Sequence, residues 1–214
     1  WISAMARNYT SSTNIILGFC AYGHHKGFFH KLVAYDNLIT GLQYISSALT
    51  GNPYTGNGRN LSYRKDLFFA HKGYYKSLSL HAGDDDLFIN ESATDQNTWV
   101  EYSPESITEM AKIDRFSMWK EMKVSRAATQ RYYKGWNLTF FRMESLSYFL
   151  FFIAVITSIV MGILGNWLIS ILAGLLYIIR FSSKATILHK SAKLLQQKPV
   201  TGWLFFLELL LPLF

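Results

Sequence analysis

Three consecutive aspartates, Asp84, Asp85 and Asp86, stand in the stretch HAGDDDLFINESA. A glycine precedes them and Leu87, Phe88 and Ile89 follow, so an acidic run is wedged against an apolar one. Carboxylates placed this way have three uses. Asp84 and Asp86 are spaced D-x-D and could hold Mg2+ or Mn2+ with water and a substrate phosphate. One aspartate could act as a general base, because crowded carboxylates raise each other's pKa. Or the three could simply open a helix, where negative charge is favoured by the dipole.

Two further stretches carry groups that bind anions or sugars. YTGNGRNLSYRK, from Tyr54 to Lys65, is glycine-rich but lacks G-K-[ST], so it is not a P-loop. Gly56 and Gly58 permit close backbone approach to a ligand. Strand alternation sets Asn60, Ser62 and Arg64 on one face and Arg59, Leu61 and Tyr63 on the other. The plain alternative is a turn followed by a strand of ordinary polarity. Between Lys120 and Lys134, the residues Lys123, Arg126, Gln130 and Lys134 recur at helical spacing. Such a row of donors suits a diphosphate, which arginine chelates through its oxygens. The alternative is a solvated or membrane-facing helix side.

The elements that position these groups follow from periodicity. NIILGFCAYG reads as a buried strand, being short, β-rich and ended by glycine. From Leu32 to Leu49, apolar residues recur at three and four, which predicts an amphipathic helix. RNLSYRKDLFF reads as a short strand running into a helix, and NTWVEYS as a strand. SPESITEMAKIDRFSMWKEMKVSRAATQRYY reads as a long helical region, with Ser106 and Glu109 as a capping box. Alternation of strands and helices predicts an α/β layer fold.

The 214-residue chain is 50% hydrophobic and carries a net charge of +7. That excess favours anionic partners. The apolar segments favour lipid and phosphate over nucleic acid. Cys20 is the single cysteine, so no disulfide forms within the chain, which fits a reducing compartment. From Ser145 to Phe181 the only charge is Arg180. SLSYFLFFIAVITSIVM and GNWLISILAGLLYIIRF each reach the lower limit for crossing ~30 Å of hydrocarbon, which predicts a transmembrane hairpin. The segment after it carries Arg180, Lys184, Lys190, Lys193 and Lys198 and no acid, so the positive-inside rule makes it cytoplasmic. Leu188, Ala192 and Leu195 give that segment an amphipathic cast suited to a membrane surface. The expected organisation is a cytoplasmic domain at 1–142, a hairpin at 143–181, a basic interfacial loop at 182–201 and the start of a third crossing at 202–214. Trp1 opens the chain and an apolar run closes it, so the expectation is a fragment of a longer protein.

Taken in order, these features resemble the family 2 glycosyltransferases, the membrane-bound inverting enzymes that include cellulose, chitin and poly-N-acetylglucosamine synthases. GRNLSYRKDLFFAHKGY is similar to the family's G-x-N-x-x-x-R segment with its Gly-aromatic end. GDDD stands where the family has its E-D motif, a tryptophan-bearing helix follows at MWKEMKVSR, and transmembrane helices come after it. The wording is closest to the bacterial versions. The resemblance implies the C-terminal, acceptor-side part of a GT-A domain. It implies a nucleotide-sugar donor, a glycan or lipid-linked acceptor, and a place at the cytoplasmic face of a bacterial inner membrane. By position, Asp85 matches the catalytic base and Asp84 the preceding Glu, with Asp86 beside them. Gly58, Asn60, Arg64, Lys123 and Arg126 are the substrate-binding positions. The Mg2+ or Mn2+ is expected through a D-x-D motif upstream of Trp1, not through the triplet.

The Q-x-x-R-W motif of the family departs here. Its best register, Met122 to Arg126, keeps only positive charge, through Lys123 and Arg126. A second register, at Gln130 and Arg131, lies further from the acids. The rival reading is a non-enzymatic, membrane-anchored α/β binding protein whose acids cap a helix. A third is a metal-dependent phosphotransferase that uses GDDD directly.

Overall fold

The computed structural model describes residues 1–78, 80, 83–133, 137–165 and 167–211. They form two compact units, residues 1–134 with 189–214, and residues 135–188. In chain order the first unit begins with α1 (Ile2–Ala6), β1 (Ile15–Gly18), β2 (Cys20–Tyr22) and α2 (Phe28–Leu49). Next come β3 (Leu61–Tyr63), α3 (Lys65–Ala70), α4 (Asp84–Ser92), β4 (Thr98–Glu101), β5 (Thr108–Met110) and α5 (Phe116–Gln130). Then follow α6 (Asn137–Ile163), α7 (Trp167–Leu194) and α8 (Leu204–Leu210). The architecture is mixed α/β with two small sheets.

The strand expected over NIILGFCAYG is two strands, bent at Phe19 and shared between two sheets. In one, β1 lies between antiparallel β3 and parallel β4. In the other, β2 pairs in parallel with β5. Asn60 holds the break. Its Nδ2 donates to the carbonyls of Phe19 at 2.6 Å and Ser106 at 2.7 Å, and its Oδ1 accepts from the Trp1 indole at 2.8 Å. The Ser106 carbonyl is thereby paired inside the core, where an orphan would be costly, and the Phe19 carbonyl, which also accepts from the Thr108 amide at 3.3 Å, gains a second and shorter bond.

The long helix expected over 103–133 is a correction. Pro104 opens a 3-10 turn through Ser106, β5 follows, and only Phe116–Gln130 is helical. Glu109 lies in β5, and the Ser106 hydroxyl donates to the Ser103 carbonyl, so there is no capping box. The cause is tertiary. Cys20, Ala21 and Tyr22 are buried, and their backbone needs a paired neighbour, which Thr108–Met110 supplies.

The core around β1 contains Ile15, Leu17, Phe88 and Ile89, with Leu61, Tyr63, Phe68 and Tyr74 packed on it. Leu61 and Tyr63 thus share one strand face, as alternation predicts. On the other face, Ser62 hydrogen-bonds the Tyr9 hydroxyl and the Arg64 guanidinium lies over the Tyr9 ring. The C-terminal segment is tied in by Gln197, which is 2% exposed. Its Oε1 accepts from the Tyr22 amide and from Asn37, and its Nε2 donates to the Ala34 carbonyl. In α8, Leu204 and Leu207 are buried.

In the second unit, α6 and α7 contain two helices long and apolar enough to cross a membrane. Leu146–Ile163 has a mean hydropathy of 2.3 with none of it buried, and Trp167–Leu194 has 1.5 with 6% buried. The Ser170 hydroxyl donates to the Ser158 carbonyl at 2.6 Å, and a side chain at Gly162 would run into Ser170. Small residues therefore bring these two backbones together, as is common between helices in lipid. The helix α7 extends to Leu194, so much of the expected interfacial loop is helical. Leu188, Ala192 and Leu195 are all buried.

Candidate active site

The aspartate triplet forms the first turn of α4. His81 and Ala82, which precede it, lie outside the described residues, as does Lys134. Gly83 is the N-cap, at φ +96, and a Cβ there would collide with Thr129 of α5. Glycine is required on both counts, so α4 starts tight against α5. Phe88 and Ile89 bury themselves in the core one turn later and fix the helix in register.

From this turn α4 grips the glycine loop at 54–58. Asn90 Nδ2 donates to the Tyr54 carbonyl at 2.9 Å. The Thr55 hydroxyl donates to Asp86 Oδ1 at 2.9 Å, and the Gly58 amide donates to Asp85 Oδ2. A Cβ on Gly58 would sit 2.5 Å from that same oxygen. Here the glycine serves a protein carboxylate that needs its backbone close. On the other flank, the Thr129 hydroxyl shares its proton between Asp86 Oδ2 at 3.1 Å and the Arg126 carbonyl at 2.9 Å. The buried Tyr133 hydroxyl donates to Thr55 at 3.2 Å. Asp86 is thus clamped between α5 and the glycine loop, with a hydroxyl on each oxygen.

The three aspartates are not equivalent. Asp84 is exposed, and Asp85 and Asp86 are half-buried. Burial pushes the Asp85 carboxyl above the usual carboxylate range, and the charges of Asp86 and Asp84 push it further. Its bonds to the Gly58 and Asp86 amides pull the other way without cancelling the rise. A carboxylate held in this way takes up a proton more readily than an ordinary aspartate, as a general base must. Burial likewise raises the Tyr133 phenol, with Asp86 adding to the effect, so Tyr133 stays a neutral donor.

The other residues singled out from the sequence are already engaged. Asn60 is the strut between the sheets. Arg64 donates through Nε to the Thr13 carbonyl at 3.0 Å and through Nη2 to that of Thr10 at 2.7 Å. Lys123 pairs with Asp36 of α2 at 2.8 Å, and the Trp119 indole donates to the second oxygen of Asp36 at 2.9 Å. Arg126 donates to the Thr40 hydroxyl at 3.2 Å. Among the described ones, Gly58 is the residue hydrogen-bonded to the acidic triplet. Sequence reading missed Thr55, Thr129 and Tyr133, whose hydroxyls are ordinary in type and far from the acids along the chain.

Among the described residues, no three His, Cys, Asp or Glu side chains are grouped so as to hold a metal ion. Both oxygens of Asp86 are also spoken for. The described residues of the triplet therefore do not fit a divalent cation, which the resemblance expects upstream of Trp1 and not here. The chain matches no family model, no curated protein and no solved structure.

Proposed function

We propose that the chain carries the acceptor side of a GT-A-type, inverting glycosyltransferase at a membrane surface. Asp85 carries the reading: a half-buried carboxylate with a raised pKa, held by a glycine-loop amide and crowded by two more acids. In the proposed reaction, an acceptor hydroxyl gives its proton to Asp85 as its oxygen attacks the anomeric carbon of a nucleotide sugar. The bond from that carbon to the diphosphate breaks, the nucleotide diphosphate leaves with the electron pair, and the configuration inverts. Asp86 positions Asp85 by fixing the first turn of α4. Among the described residues Arg126 makes no ion pair, whereas Lys123 is paired with Asp36, so of these two residues Arg126 has more charge to offer a departing diphosphate. The two apolar helices support a membrane location.

The test is a screen of nucleotide sugars on the full-length protein in membranes. Release of nucleotide diphosphate, dependent on an added acceptor, is expected with at least one donor. One observation favours the rival binding protein: Asp86 is fully used in holding α4, α5 and the glycine loop together. Silence across every donor tried, with tight binding of a small ligand retained, would favour that rival.

A further inference from the structure

The helix α5 has two working sides. Trp119, Lys123, Arg126 and Tyr133 follow one side into the first unit. On the opposite side an open groove of about 640 Å³ runs along the helix. From Ser117 to Gln130 this side of the helix is about 20 Å long. Leu80, Val124, Ala128 and Tyr132 form the apolar wall. Val124 is 59% exposed and Tyr132 47%, which is unusual for residues of this kind standing together. Lys120 and Arg131 bring two positive charges to the rim and Glu121 one negative charge. The Arg131 guanidinium rests 4.8 Å over the Tyr132 ring. Thr129 lines the groove as well, and it is the residue that holds Asp86. One side chain therefore separates the groove from the acidic turn.

We infer that this groove seats the lipid body of the acceptor, a saccharide joined to an apolar chain through phosphate. The inference rests on the transferase reading above and narrows its acceptor to one class. A free glycan carries a hydroxyl on nearly every carbon and needs donors and acceptors throughout, whereas here Ser117, Ser125 and the charged rim flank a continuous apolar wall. An apolar chain needs a wall such as Leu80, Val124 and Ala128, with a few polar groups to orient its head. The excess positive charge at the rim suits the phosphate linker, with Arg131 supplying a guanidinium among the lining residues. A saccharide beyond that linker lies towards Asp85. Its hydroxyl oxygen bonds the anomeric carbon, its proton passes to Asp85, and the nucleotide diphosphate takes the electrons of the broken bond. A protein with two membrane-crossing helices stays where such an acceptor is dissolved.

The test uses the full-length protein in liposomes and a monosaccharide linked through diphosphate to a prenyl chain bearing a diazirine. Adducts are expected to concentrate between residues 117 and 132. Ala128→Trp, which fills the groove from an exposed position, is expected to suppress them. Arg131→Gln is expected to weaken the probe about tenfold, the loss of one charge-assisted bond, and to leave an uncharged prenyl glycoside unaffected. Unchanged near-ultraviolet dichroism shows that the fold survives each substitution. Adducts spread over α6 and α7 with no excess on α5, or labelling indifferent to Ala128→Trp, would overturn the inference. Nucleotide release with a soluble oligosaccharide, also indifferent to Ala128→Trp, would overturn it and leave the transferase reading intact. No release with either acceptor, with labelling of α5 retained, would remove the transferase reading and the acceptor role together.

Discussion

At Asp85 the proposed role and stability pull in opposite directions. Its folded pKa is raised, so the native state binds this proton more tightly than the unfolded chain does. The stabilisation linked to that proton is complete below the ordinary carboxyl range. It is lost as pH rises through the raised value, and at neutral pH the ionised, half-buried group is a cost. Asp85→Asn should therefore melt at a higher temperature than the parent near pH 7, with the advantage shrinking towards about pH 4. Melting curves of the detergent-solubilised protein across that range check it; a less stable variant at neutral pH would mean that the raised pKa is misplaced. Gly58 makes the complementary case. A methyl there meets Asp85 Oδ2 at 2.5 Å and must displace it. Misplacing a reacting group by about 1 Å costs roughly 100-fold, so Gly58→Ala should lose about that much transfer with donor binding unchanged. Steady-state rates against donor titrations separate the two effects.

At the scale of elements, the sequence disclosed what depends on local pattern. The 22-residue α2 follows from its apolar spacing, and the β3–α3 junction and β4 follow from alternation and β-rich composition. The apolar helices follow from composition and length. Hidden were the features set by partners distant in the chain. The pairing of Thr108–Met110 with β2 overrode a helical reading, because β2 is buried and needs a partner. The bend at Phe19 involves Asn60, some forty residues away, which the family resemblance makes a substrate-binding position. Asn60→Ala should orphan the buried Ser106 carbonyl, strip the Phe19 carbonyl of its shorter bond and cost roughly 1–3 kcal/mol, measurable by denaturant unfolding. The clamp on Asp86 was equally invisible, since Thr55 and Thr129 carry no signal in their neighbours. Thr55→Val and Thr129→Val should each cost about 1–2 kcal/mol. They share one carboxylate, so the double variant should depart from additivity by at least about 0.5 kcal/mol. Strict additivity would mean that the two hydroxyls do not act on Asp86 together.

The molecule as a whole has a basic α/β unit, an acidic turn set against a glycine loop, and two apolar helices. The chain should stay in the membrane pellet through an alkaline wash and leave it only with detergent. In the proposed orientation, a cysteine replacing Lys184 reacts with an impermeant thiol reagent from the cytoplasmic side alone, and one replacing Gly165 from the opposite side alone. The buried Cys20 gives little background. The central claim is that Asp85 accepts the acceptor's proton. Its most direct measurement is Asp85→Asn in the full-length protein, with nucleotide-sugar binding and sugar transfer followed side by side. The account predicts unchanged donor affinity and a fall in transfer of roughly 100-fold or more, the share of a positioned base. Transfer that survives in this variant at near-parental rate would contradict it.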